Sequence, residues 1–188
     1  FPHRTVLDNV ATVPVLLGKT RREARSAALG GHVISTMVSA VLALTTMSIL
    51  GYLVGWRIRT DLLHAAAAYG LLLLLAAAML WTGAYIGLLA RAVTVADTAT
   101  FAWIFPLTFL ANTFVPSQGL PGWLRPIAEW NPVASTVAAV RTLFGNPVPP
   151  HGDSLPLRHP VLSALCWSLA LLVICVPLAV HRYRTATK

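Results

Sequence analysis

The side chains able to do bond chemistry are few in this sequence, and their spacing assembles none of the familiar sites. Six histidines, His3, His32, His64, His151, His159 and His181, sit apart at the ends of apolar segments. None has the i, i+4 spacing that lets two imidazoles on one helix face hold zinc. No metal site and no catalytic residue is expected, and no cofactor. Gly18-Lys19-Thr20 invites comparison with a phosphate-cradling loop, G-x-x-x-x-G-K-[ST]. The first glycine of that loop would fall at position 13, which is Val13, and Pro14 interrupts the loop. The segment reads instead as a lysine before a helix cap. Glu129 stands four residues after Arg125, the spacing of a helix-surface ion pair. The alternative is a proton or substrate role for Glu129. No acid pair inside an apolar run marks a proton relay. Cys166 and Cys175 share one apolar run nine residues apart, roughly 13 Å along a helix and too far for a disulfide.

What the sequence does specify is apolar length. Hydrophobic residues make up 56% and charged residues 11% of the chain, against roughly a quarter charged in a soluble domain; the mean hydropathy is +0.70. Asp, Glu, Lys and Arg are absent from 33–56, 62–90, 98–124 and 159–181. A bilayer core of about 30 Å takes roughly 20 apolar helical residues, so each gap suffices for one crossing. The net charge of +8 lies at the ends of these gaps and forms no basic aromatic stripe, which argues against nucleic acid as a partner.

These gaps predict an all-α integral membrane protein with about four transmembrane helices, near 33–55, 65–90, 96–115 and 161–180, and a re-entrant extracellular helical hairpin near 116–147. Residues 1–31 form a separate water-facing segment. Thr20 and Glu23 have capping-box spacing, and Gly30-Gly31 would stop that short helix. Thr94 to Asp97 is a second capping signal, at the start of the third span. Pro106 lies inside that span. Gly51/Gly55 and Gly83/Gly87 are small-xxx-small pairs that would permit close helix approach.

The hairpin concentrates the structural punctuation. Residues 116–160 hold nine of the thirteen prolines. Asn131-Pro132 reads as an N-cap followed by proline at the first helical position, with a helix over 132–144 ended by Gly145. Residues 121–130 read as a shorter helix, with Trp123 and Trp130 at interface depth. Pro116, Gly119, Pro121, Gly122, Trp123, Glu129, Asn131 and Pro132 are the candidate structural or gating residues. With both termini on one side, that side holds nine of the Lys and Arg residues against five on the other, which predicts cytoplasmic termini.

Phe-Val-Pro at 114–116, Pro-Gly-Trp-Leu at 121–124 and the Glu-x-Asn-Pro step at 129–132 together resemble the signature of the ABC-2 permease family. The likeness is greatest to its daunorubicin-resistance-type drug exporters. YLVGWRIR at 52–59 and the stretch 159–184 are similar to the same group, so the resemblance covers about 32–188. It implies a permease subunit in the cell membrane that pairs with a second permease subunit and a separate ABC ATPase. It further implies export of hydrophobic or amphipathic compounds by mechanical rocking, with no enzymatic step in this chain. The family has six spans, so the four here correspond to its third to sixth, a partial ABC-2 permease fold without the first two helices and the coupling loop between them. Residues 1–29 resemble the stretch after the Q-loop of osmoprotectant-type ABC ATPases and lack every motif needed for hydrolysis. On that basis the alternative is a non-transporting scaffold or assembly partner derived from a fused, truncated gene.

Overall fold

The computed structural model describes residues 21–89, 93–111, 119–148 and 154–185. The described residues are helical and connecting: α1 (Arg21–Leu53), α2 (Leu62–Leu89), α3 (Val93–Phe109), α4 (Arg125–Glu129), α5 (Pro132–Leu143), α6 (Leu155–Arg158) and α7 (Pro160–Thr185). The all-α membrane architecture expected from the charge gaps is therefore the one observed. Three stretches, Val33–Leu53, Leu62–Leu89 and Pro160–Arg182, are long and apolar enough to cross a membrane. The third expected span corresponds to α3, whose 17 residues stand at the lower limit of a crossing. Residues 112–118, where that span was expected to end, lie outside the described residues.

The chain divides into two compact units, Phe1–Thr46 and Met47–Lys188. The first carries most of α1. There Ser39 Oγ donates to the Ser35 carbonyl at 2.9 Å, and the Thr45 and Thr46 hydroxyls each donate four residues back at 2.8 Å. Each hydroxyl is satisfied by its own helix, which suits an apolar surrounding. The stop expected at Gly30-Gly31 does not occur, since α1 runs unbroken through both. Two glycines cost a helix about 2 kcal/mol, and the alanine- and arginine-rich turn before them and the long apolar run after them outweigh that. The Thr20 cap lies outside the described residues. The helix start expected at Thr94 is also displaced, because α3 is already helical at Val93.

In the second unit α2 packs along α7, and α5 lies against both. Alanines make this close approach possible: Ala68, Ala78, Ala139 and Ala164 are fully buried. Thr82 Oγ1 donates to the Ala78 carbonyl at 2.8 Å and to Cys175 Sγ at 3.4 Å, a polar tie between α2 and α7. Phe144 clusters with Ala65 and Ala68, whereas Ala139 clusters with Leu71 and Ala164. Stepping backward along α5 is thus stepping forward along α2, so the two helices run antiparallel. Leu71 lies about 13 Å along α2 from Leu62.

Both α1 and α5 end in the same way. Trp56 N donates to the Gly51 carbonyl at 2.8 Å and Gly55 N to Tyr52 at 3.2 Å; Asn146 N donates to Arg141 at 2.9 Å and Gly145 N to Thr142 at 3.0 Å. This paired closure requires a left-handed residue, which Gly55 (φ 103°) and Gly145 (φ 68°) supply. Gly145 was expected in this role. Gly55 was not, and its use as a cap removes Gly51/Gly55 as a helix-contact face, since Trp56 folds back over Gly51 instead. Among the described residues the space around Gly83 and Gly87 is open, so that pair makes no close contact with them either.

A methyl at Gly145 would meet Thr60 Cγ2 at 3.1 Å and Arg59 Cβ at 3.2 Å in a backbone region that costs other residues about 1–2 kcal/mol. Gly145→Ala should therefore lower the thermal midpoint in detergent. Gly83→Ala should leave it unchanged or raise it, removing a helix penalty of about 1 kcal/mol. Scanning fluorimetry of the two variants side by side checks the contrast.

Candidate functional site

The hairpin begins as a helical turn. Leu124 N and Arg125 N both donate to the Pro121 carbonyl, at 2.9 and 3.1 Å, and Ala128 N donates to Leu124 at 3.1 Å. Residues 121–130 therefore follow one coil, as the sequence suggested, with α4 as its regular part. Pro126 falls in the first turn of α4, where its missing N–H costs nothing. Trp130 closes the turn by donating to Pro126 at 3.0 Å.

Asn131 then does two things. Its Oδ1 accepts from Val133 N at 2.8 Å, capping the N-terminus of α5, and its Nδ2 donates to the Leu107 carbonyl of α3 at 2.6 Å. A helix leaves its last carbonyls without intrahelical partners. Near the end of α3, Ala111 N turns to the Thr108 carbonyl at 3.3 Å and does not continue the α ladder to Leu107. One buried amide thus joins an orphan donor at the head of α5 to a carbonyl at the tail of α3. Pro132 occupies the first helical position of α5. The buried hydroxyls beyond it stay inside the first turn, Ser135 Oγ donating to the Asn131 carbonyl at 3.2 Å and Thr136 Oγ1 to Pro132 at 2.9 Å.

The other end of α5 is held by the turn between α1 and α2. Arg59 N donates to the Phe144 carbonyl at 2.9 Å and Thr60 Oγ1 to the Leu143 carbonyl at 2.6 Å. Trp56 and Tyr69 meet the Phe144 ring edge-on, at centroid distances of 5.1 and 5.3 Å. With the Asn146 amide oriented to satisfy its neighbours, its oxygen accepts from Trp56 Nε1 at 2.9 Å. In the same turn Arg57 lies over the Tyr52 ring and Asp61 contacts His64 Nδ1. The hydrogen bond from His64 holds the Asp61 carboxyl below its usual range. A depressed carboxylate stabilises the fold above its unfolded pKa, and that contribution is lost as pH falls through the folded value.

The sequence-derived candidates fare unequally. Glu129 and Arg125 form the expected pair, Nε to Oε1 at 2.9 Å, but the pair is not a surface one. The Glu129 side chain is 10% exposed against 43% for Arg125, because the short helix turns Glu129 inward beside Ala128. Asn131 and Pro132 sit at the head of α5 as expected. Trp123 projects outward, and Pro121 serves as the acceptor that starts the coil. Among the described residues nothing fills the space where a side chain would go at Gly119 and Gly122, and neither has a positive φ, so none of those neighbours demands glycine. Pro116 lies outside the described residues. Sequence reasoning missed Leu107, Arg59 and Thr60 as partners of α5. Their contributions are a carbonyl, an N–H and a hydroxyl that pair across 24 to 85 positions, and no local pattern announces them. Among the described residues no cluster of His, Cys, Asp and Glu could hold a metal.

These features define a helical membrane protein in which a structured hairpin, fastened at both ends of its longer helix, joins the helices of the bundle. The ABC-2 type transporter family matches residues 19–144, well over half of the sequence, and the chain belongs to that family. It is 28% identical over 182 residues to the daunorubicin resistance ABC transporter permease protein DrrB1 of Streptomyces coeruleorubidus, covering 97% of this chain and 59% of that protein. It is 26% identical over 166 residues to the probable doxorubicin resistance ABC transporter permease protein DrrC of Mycobacterium tuberculosis, covering 83% of this chain and 56% of that one. The chain thus spans less than two thirds of the length of these relatives. Similarity to the Streptomyces permease over 97% of the chain also takes in most of residues 1–31, the segment that resembles an ATPase fragment. No solved structure matches the chain.

Asn131→Ala removes both bonds of the bridging amide and should cost about 1–3 kcal/mol, the sum of a lost cap and an unpaired carbonyl. Asn131→Asp keeps the capping oxygen and should fall between the alanine variant and the native chain. Glu129→Gln keeps an acceptor for Arg125, whose partly exposed guanidinium can turn to water, and should be milder than Asn131→Ala. Thermal denaturation of the three variants in detergent ranks them.

Proposed function

We propose that this chain is the membrane-spanning permease subunit of an ATP-driven exporter, working with a separate ABC ATPase and a second permease subunit. Membership of the ABC-2 type transporter family carries this reading. The cargo class, hydrophobic or amphipathic compounds of the drug type, is inferred from the names of the daunorubicin and doxorubicin resistance relatives. The chain supplies no bond chemistry. Closure of the partner ATPase would rock the two permease subunits and open a path between them in the cell membrane.

In this reading α3, extended past Phe109, makes the fourth crossing, both termini face the cytoplasm, and the hairpin enters the outer half of the bilayer from outside. The antiparallel course of α5 on α2 supports the last point, because it carries Asn131 deeper along α2 than Gly145. Residues 1–31 would be a cytoplasmic segment leading into the first span. The near full-length similarity to a permease favours a permease origin for that segment over an ATPase one. Pro116, Pro121, Trp123, Glu129, Asn131 and Pro132 would shape the outer gate, with Asn131 as its fixed point.

Inverted membrane vesicles carrying this chain and its ATPase should accumulate doxorubicin when ATP is added. Vesicles with Asn131→Ala at equal abundance should accumulate it several-fold more slowly, and Glu129→Gln should be closer to native. Uptake that is independent of this chain contradicts the assignment. A Glu129→Gln variant that is stable but inactive would move the functional role from the backbone framework to that carboxylate.

A further inference from the structure

The hairpin carries one exposed feature that its packing does not use. Trp123, Ile127 and Trp130 are spaced i, i+4 and i+7 along the coil of residues 121–130, which places them on one side. They are 73%, 57% and 54% exposed. The opposite side of the same coil is closed, with Ala128 and Glu129 buried. Arg125 on this coil is turned to Glu129, so the exposed row itself carries no charge.

The geometry points to a bilayer contact: this row seats the hairpin in the boundary between lipid headgroups and acyl chains. Three observations select lipid as the occupant. The coil lies in the connection between α3 and the membrane-crossing α7, so a bilayer surface is within its reach whichever side it faces. Two indoles and a branched aliphatic side chain, next to an arginine, are the side chains that partition to that boundary, where an apolar ring and a polar N–H are both accommodated. The row is also too small for a lasting protein contact. Two indoles of about 150–250 Å² each and one isoleucine, with only 73%, 54% and 57% of their surfaces exposed, offer roughly half of the about 800 Å² that a stable interface buries on each partner. The contact rests on the reading that the hairpin reaches the bilayer but not on the direction of transport or on the ATPase, so its failure would leave the permease assignment standing.

Spin labelling tests it. In a Cys166→Ser, Cys175→Ala background, nitroxides are attached at Ile127→Cys, Trp123→Cys and Trp130→Cys, one at a time, in vesicles of phosphatidylcholine and phosphatidylglycerol. Power saturation should show each label several-fold more accessible to molecular oxygen than to a water-soluble nickel chelate. Preferential access of the chelate would mean that the row faces water. Exclusion of both reagents with an immobilised label would mean that protein covers it, whether a second copy or another subunit. Either outcome overturns the inference. A second measurement needs no labels. Brominated phosphatidylcholine should quench the native tryptophan fluorescence, and the quenched amplitude should fall in Trp123→Phe/Trp130→Phe. An unchanged amplitude counts against the contact.

Discussion

A helix end buried away from water leaves backbone groups without partners, and each such group costs about 1–3 kcal/mol. The Asn131 amide is the answer to that constraint in this chain. Its oxygen serves the head of α5 and its nitrogen the tail of α3, so two broken helix ends share one side chain. A threonine or serine could cap α5 but could not reach back with a second, opposite group in the same orientation. The planar amide, with donor and acceptor pointing apart, can do both.

The far end of α5 obeys the same constraint by different means. There the paired closure at Gly145, the Arg59 N–H and the Thr60 hydroxyl take up the last carbonyls, and the rings of Trp56 and Tyr69 pack edge-on against Phe144 beside them. The two ends differ in what they would resist. The C-terminal end is fastened to the α1–α2 turn by several hydrogen bonds and a ring cluster. Among the described residues, the side-chain tie from the N-terminal end to α3 is the Asn131 amide.

Much of this was legible in the sequence, and the reason is physical. Charge-free runs of crossing length state the membrane class directly, because the bilayer core sets how many apolar residues a helix needs. Asn131-Pro132 and Gly145 bracket α5 because caps and left-handed closures are local requirements of the backbone. What stayed hidden was long-range. Nothing near Leu107 in sequence signals that its carbonyl needs an outside donor, and Thr60 looks like any turn residue. Local rules also misled where tertiary or lipid context outweighed them. Gly30-Gly31 did not stop α1, Gly55 proved to be a cap and not half of a helix-contact motif, and the Arg125–Glu129 spacing did not reveal that its acid is buried.

Helix α5 is a fixed structural element held at both ends, and hydrogen exchange reads that property out residue by residue. In lipid nanodiscs the amides of residues 134–143 should exchange as slowly as those in the middle of α2, and Asn131→Ala should speed exchange at the N-terminal half of α5 while leaving 140–143 protected. Rapid exchange throughout α5 in the native chain, at the rate of an unstructured connection, would contradict the account.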